Sequence, residues 1–434
     1  MNQTDNVKKE KKKNVYVTAF ITRSLLAIIG FVYTIFLARY LGTELRGRYS
    51  VVQNYATVIA VILTLGVVNA YPRFKRIHSE EERPMVYKSF IGNSMAMFWI
   101  VTILSLLIGF FVPMPQQYKW IFYILPFTYM FKLTNTLALM EHSRLCNLTE
   151  LWLGVFDLAF VFALMQFTKA NFLLCFMFLL IDKAVYACFS VLNLRATPKM
   201  LIPKFDKQIG SYIGYGFVPM LTGLLLILNN KMDVFMMDFF PNVTDSEIGI
   251  YSVGVMLAEK IWIIPDALTS ILQSRLAAGK DIDEVCKVSR ICILLTGLCV
   301  IAVALLGKPL ITIAYGEAYS NAYSTTLIVL LGVVFMVFFK IAYAYNVVVG
   351  KNIRNIIYLG ITFVINVLLN LILIPIWGMY GAAVATLASF MVCGTIFLAM
   401  FSIDTKVPFW KLILIQKQDF KFLFHLLRRK SLKK

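Results

Sequence analysis

Charge is scarce in this chain, and acid scarcer still. Only 15% of its 434 residues are charged, and Lys and Arg outnumber Asp and Glu by 42 to 23. A soluble domain carries about 25% charged residues, so a soluble globular class is excluded. The three histidines, His78, His142 and His425, are scattered and suggest no metal site. Seven cysteines (Cys146, Cys175, Cys188, Cys286, Cys292, Cys299 and Cys393) form no C-x-x-C pair and no zinc spacing. Most lie in or beside apolar runs and read as small hydrophobic residues. A nucleophile–base constellation is missing, and so is a large polar loop to house one, which argues against an enzyme. No cleavable leader is expected, because residues 1–14 are charged and the apolar run that follows is too long for a signal core.

What is present is hydrocarbon. Hydrophobic residues make up 59% of the chain. Apolar runs punctuated by loops give twelve spans, at 15–38, 49–70, 90–112, 120–141, 151–168, 171–194, 209–230, 248–269, 288–306, 323–346, 356–375 and 379–401. Runs of 18 residues or more can cross about 30 Å of hydrocarbon. In lipid such runs must be helices, since no water satisfies an open backbone. An even count puts both termini on one side, and the basic residues say which. Thirty Lys and Arg fall on the side of the termini and seven on the other, the remaining five lying inside spans. This is a strong positive-inside signal for cytoplasmic termini. The net charge of +19 is then mostly topogenic and faces anionic lipid. Nucleic-acid binding is not expected.

The five intramembrane cations are Arg23, Lys132, Lys183, Lys260 and Lys340. Left facing lipid they would oppose insertion by ~15 kcal/mol in all. They must pair, snorkel or line a wet cavity, and a cationic cavity suggests an anionic cargo.

The polar, two-proline loop at 195–208 divides the chain into two six-helix halves. A faint repeat supports the division. Gly47-Arg48-Tyr49-Ser50-Val51 opens the second span and Gly249-Ile250-Tyr251-Ser252-Val253 opens the eighth, 202 residues later. Both halves start on the same side with an even number of spans, which makes them parallel repeats. The expected organisation is a basic N-terminus at 1–14, lobes at 15–194 and 209–401, the linker between them, and a basic amphipathic cytoplasmic tail at 402–434. From Pro408 onward aromatic and aliphatic residues interleave with Lys and Arg, as in an interfacial helix.

Three stretches carry a resemblance. The segment from Asn366 through Asn370, Pro375, Gly378 and Gly381 to Thr386 resembles a signature of bacterial polysaccharide flippases, within the multidrug/oligosaccharidyl-lipid/polysaccharide exporter superfamily. Pro375 would end one helix, Gly378 and Gly381 would permit a tight turn, and the small residues after them would let the next helix pack closely. Residues 41–50 look like the family's L-G-x-x-x-x-G-x-Y loop after the first helix. Residues 229–252, with Asp233 and then Glu247, Gly249, Tyr251 and Ser252, look like its seventh-to-eighth helix segment. The resemblance implies an all-α bundle of two six-helix lobes around a central cationic cavity. It also implies a cargo, an undecaprenyl-diphosphate-linked oligosaccharide moved from the inner to the outer leaflet of the bacterial cytoplasmic membrane. Glycosyltransferases and a polymerase of the same pathway would be its partners. A drug antiporter of the multidrug and toxin extrusion branch shares the architecture and is the alternative.

Arg23 is the leading candidate for the diphosphate, since its bidentate fork suits phosphate oxygens; the competing reading is an ion pair with Asp157 or Asp233. Lys132 has no acid within a helical turn. Lys183 and Lys260 each follow an acid, Asp182 and Glu259, and neighbours at i,i+1 do not face each other on a helix. Those acids could satisfy other helices or carry a coupling sodium ion or proton. Lys340 could snorkel. Arg46 and Arg48 would line the outer mouth, and Asp233 with Lys231 would lie near the outer end of the seventh span, beside the longest outward loop at about 231–247. The sequons at Asn147 and Asn242 are common chance matches. Arg23→Ala is expected to abolish surface polysaccharide export at a normal membrane level of the protein; full export by that variant would remove Arg23 from the mechanism.

Overall fold

The computed structural model describes residues 3–276, 279, 282–416 and 419. Among these residues every regular element is a helix. Helix α1 (Gln3–Leu63) runs 61 residues and α4 (Gln116–Phe167) 52 residues. At 1.5 Å per residue these are about 90 and 80 Å long, far more than one crossing needs. Each is broken once. Gly42 (φ 70°, ψ −179°) interrupts α1, and His142 (φ −129°, ψ 45°) interrupts α4. Both breaks fall between spans read from hydropathy. Among the described residues ten helices are long and apolar enough to cross a membrane. With α1 and α4 each divided at its break, they make twelve crossings of a multi-pass membrane protein.

The other crossings are α3 (Arg83–Phe111), α5 (Phe172–Asn193), α6 (Ile209–Phe239), α7 (Asp245–Glu259) continued by α8 (Ile263–Leu276), α9 (Ile282–Tyr315), α10 (Ala322–Val349), α11 (Asn352–Trp377) and α12 (Met379–Thr405). Two short helices lie outside them, α2 (Tyr71–Ile77) and α13 (Trp410–Ile413).

Three local expectations change. Residues 41–50 are not a loop but helix on both sides of Gly42, which carries Arg46 and Arg48 on a helix. The connection expected at 231–247 shrinks to residues 240–244, because α6 continues to Phe239. A capping box makes so short a turn workable. The Thr244 hydroxyl accepts from the Glu247 amide (3.2 Å) while the Glu247 carboxylate accepts from the Thr244 amide (2.9 Å). Pro375 stands inside the last turn of α11, and Gly378 (φ 54°) makes the turn into α12. A Cβ on Gly381 would sit 2.1 Å from the Leu373 carbonyl oxygen, so this helix pair does pack at backbone distance.

The chain forms two compact units, Met1–Ile227 and Leu228–Lys434, and the boundary falls within α6. In the first unit a buried aromatic–aliphatic core gathers Tyr71, Phe90, Tyr129, Leu133 and Leu137. The start of α6 is seated on it at Gly216, where an added Cβ would lie 1.8 Å from the Gly66 carbonyl oxygen. The segment before α6 is tied down as well. The Tyr87 hydroxyl donates to the Leu194 carbonyl (3.0 Å), the Lys204 amide to the Gly92 carbonyl (3.2 Å) and the Asp206 amide to Asn93 Oδ1 (2.9 Å). The Ser89 hydroxyl and then the Gln208 amide hold the Asp206 carboxyl below the usual carboxylate range.

In the second unit α10 is the most enclosed crossing. Beyond α12 the chain turns back on α9. Leu412 is buried beside Ser289, Phe338, Ile341 and Phe401. Arg290 grips the carboxylate of Asp419 through Nε (2.6 Å) and Nη2 (2.9 Å), and Nη1 donates to the Lys411 carbonyl (2.7 Å). Residues 420–434 of the expected amphipathic tail lie outside the described residues.

Burial works against ionisation of Asp419, but the bonds from Arg290 and the Gln416 amide outweigh it and hold the carboxyl below its usual range. A depressed carboxyl stabilises the docked tail above the unfolded value of about 3.9, and that stability is lost as pH falls through the lower folded value. Amide exchange across 410–416, corrected for intrinsic rate, is expected to be constant from pH 8 to pH 5. Asp419→Ala should raise it at every pH, since it strands a buried guanidinium at a penalty of about 3 kcal/mol.

Candidate functional site

Two buried polar clusters dominate the spans, one in each unit. The second-unit cluster is built around Asp233 on α6, which is 1% exposed. Its Oδ1 accepts from the amides of Asn370 (2.7 Å) and Asn366 (3.1 Å) on α11. Its Oδ2 accepts from the hydroxyls of Thr386 on α12 (2.7 Å) and Tyr251 on α7 (2.8 Å). A carboxylate with four donors is well solvated by protein. The spacing of Asn366 and Asn370, one helical turn apart, puts both amides on one face of α11. Asn370 Nδ2 also donates to Asn366 Oδ1 (3.0 Å), while Asn370 Oδ1 is buried and has no hydrogen-bond partner. A carboxylate, two amide oxygens and two hydroxyls are hard oxygen donors, of the kind that bind hard cations. The orphaned amide oxygen is the acceptor such an ion would satisfy.

The first-unit cluster lies between α1, α4 and α5. Lys183 Nζ bonds Asp182 Oδ2 at 2.7 Å. The Tyr186 hydroxyl donates to Asp157 Oδ2 (2.8 Å), and Asp157 and Asp182 lie close enough to feel each other's charge. Tyr49 and Tyr33 lie close to one another and feel the field of Asp182. Asp157 and Asp182 are buried. The Asp182–Lys183 pair corrects the expectation that neighbours along a helix do not meet. Their Cβ atoms diverge, but the four-carbon lysine stem is long enough to bend its ammonium back.

The remaining candidates separate. Glu259 pairs with Lys231 (3.6 Å), not with its neighbour Lys260. The Lys340 ammonium pairs with Asp266 on α8 at 2.6 Å and lies 4.7 Å from the centre of the Trp262 ring. Arg48 bonds Glu44 (2.9 Å). Arg46 is buried, with its guanidinium 5.2 Å from the centre of the Tyr49 ring. Among the described residues Lys132 and Lys260 form no ion pair, and both are exposed. The side chain of Arg23 lies outside the described residues. Asn242, the asparagine of a sequon, donates its amide to the Pro375 carbonyl (3.2 Å). Reading the sequence alone left Tyr33, Asn366, Asn370 and Thr386 without roles of their own. The signal for the last three was their place in one motif, two asparagines a turn apart and a threonine on the next helix.

Long apolar helices, two of them broken at one point, and buried polar clusters on the spans define the fold of a multi-pass membrane protein. The solved structures agree. The chain is similar to "Lipid II flippase MurJ, inward closed conformation" (TM-score 0.70, 14% identity, 95% of this chain and 96% of that one). It is similar to an inward-facing "multidrug resistance MATE family transporter of the MOP superfamily" (0.64, 14%, 89% and 98%). A MOP superfamily transporter from Pyrococcus furiosus, whose title speaks of reverse polarity of its binding pocket, also matches (0.57, 13%, 90% and 94%). No curated protein matches the chain in sequence. The family model described as "Polysaccharide biosynthesis protein" matches residues 12–274, and the chain belongs to that family.

Replacing Asp233 by leucine would strand four donors at once. A thermal or chemical denaturation in detergent should show a loss of about 3 kcal/mol or more, with Asp233→Asn intermediate between Leu and the parent. Stability equal to the parent for Asp233→Leu would mean that the cluster does not hold α6, α7, α11 and α12 together.

Proposed function

We propose that this protein is a flippase that moves an undecaprenyl-diphosphate-linked oligosaccharide, a repeat unit of capsule, O-antigen or another surface polysaccharide, from the cytoplasmic to the outer leaflet by alternating access. The observation that carries the reading is the match of residues 12–274 to the polysaccharide biosynthesis family. The chemistry supports it. A diphosphate needs cations not already neutralised by the protein, and Lys132 and Lys260 are exposed and form no ion pair among the described residues. Lysine serves as a mobile point charge for phosphate. Arg23 would add a bidentate contact, while the polyprenyl tail stays in lipid. The Asp233 cluster would hold the coupling ion, a sodium ion or proton, and the cargo would come from glycosyltransferases and pass to a polymerase.

A second reading is a cation-coupled drug antiporter. It is favoured by the buried acids Asp157 and Asp182 and by the fold shared with the multidrug transporters. One strain separates the two. Cells lacking this protein should accumulate the lipid-linked oligosaccharide on the inner leaflet, and the protein should restore export. Lys132→Ala and Lys260→Ala should each lower the export rate about tenfold, the loss of one charge-assisted phosphate contact, with Lys→Arg retaining most of it. Unchanged oligosaccharide distribution together with ion-driven efflux of cationic dyes would favour the antiporter and sink the flippase.

A further inference from the structure

Tyr49 and Tyr251 are the matching tyrosines of the two G-x-Y-S-V copies, and each belongs to the buried polar cluster of its own unit. The clusters are assembled alike. The first, second, fifth and sixth spans of the second half supply Asp233, Tyr251, Asn366 with Asn370, and Thr386. The same four spans of the first half supply Tyr33, Tyr49, Asp157, and Asp182 with Lys183 and Tyr186. Each half therefore places a buried polar cluster on the same four of its spans.

The copies differ in their cation. Among the described residues no Lys or Arg pairs with Asp233, and the nearby Lys231 is taken by Glu259. Asp233 has neutral donors only, and Asn370 Oδ1 beside it is buried without a partner. In the first half an ammonium is already in place, with Lys183 Nζ 2.7 Å from Asp182 and 5.9 Å from the centre of the Tyr186 ring. A buried carboxylate in a membrane requires a counter-charge. In the first half Lys183 pairs with Asp182, while among the described residues no cationic side chain pairs with Asp233.

We infer that Lys183 is a tethered cation: its ammonium fills, in the first half, the place that the second half leaves for a dissociable monovalent ion, so only one of the two duplicated sites loads and unloads during transport. This rests on the reading of the Asp233 cluster as a cation site. Removing the ammonium without filling its volume converts the first half into a second loadable site. Lys183→Ala does this, whereas Lys183→Met fills the space with an apolar chain of similar length.

The test is equilibrium binding of radioactive sodium to the purified full chain in detergent. The parent should bind one ion per chain, Lys183→Ala two, and Lys183→Met one. Adding Asp182→Asn to Lys183→Ala should return the count to one. The same comparison is run in an Asp233→Asn background, where the parent should bind none and Lys183→Ala one. No gain by Lys183→Ala in either background overturns the tethered cation. A parent that binds no sodium overturns the sodium reading of Asp233 alone, and a gain by Lys183→Ala in that protein still supports the first-half site. Should Lys183→Ala be recovered in low yield, its thermal midpoint carries the same test. A bound ion stabilises by mass action, so a midpoint that rises in sodium chloride over N-methylglucamine chloride supports the inference, and equal midpoints overturn it.

Discussion

Hydrocarbon offers no hydrogen-bond partner, so a polar side chain on a spanning helix must find one on another helix. Asp233 is where this constraint is felt most. It is buried, acidic, and held by donors from α7, α11 and α12. Each donor fixes the rotation of its helix, because a turn of one residue moves a side chain by about 100°. The register of four helices is therefore set by one carboxylate, and the close backbone approach at Gly381 is possible only once that register is set.

The same constraint explains where charge was kept and where it was neutralised. Lys340, Lys183 and Lys231 are all matched to acids within their own units. Charge closed into such pairs is structural or available for coupling. Lys132 and Lys260 form no ion pair among the described residues. Lys132, Lys183, Lys260 and Lys340 look alike in the sequence, and the division between them follows the acids around them.

Much of the fold was legible in the sequence. The twelve crossings follow from apolar length, and even the breaks at Gly42 and His142 fall in the gaps between runs. What hydropathy could not reveal is that a gap between runs need not be a loop: residues 41–50 stay helical because nothing but Gly42 leaves the helical region. The candidate site was legible by residue type and not by partner. Asp233 was marked by the resemblance of residues 229–252, but its donors lie up to 153 positions away and are neutral, so no charge pattern marks them. Arg290 and Asp419 are separated by 129 positions, beyond the reach of any local charge pattern. The reverse error, discounting Asp182 and Lys183 because they are adjacent, came from reasoning about Cβ directions where a long flexible stem decides.

The polar bonds between α6 and α7 bear on how the chain enters the membrane during synthesis. The crossing that begins with α7 is the least apolar of the candidate spans, and it carries Tyr251, Glu259 and Lys260. Two of its polar groups are met by the helix made just before it, Tyr251 by Asp233 and Glu259 by Lys231. The turn between the two is only residues 240–244. Entering alone, α7 would bring an unpaired glutamate into lipid and α6 an unpaired aspartate and lysine, each at a penalty of about 3 kcal/mol. Entering as a hairpin, they satisfy each other before any later helix exists. The bonds between α6 and α7 thus suit a pair of helices that enters the bilayer together rather than as single ones.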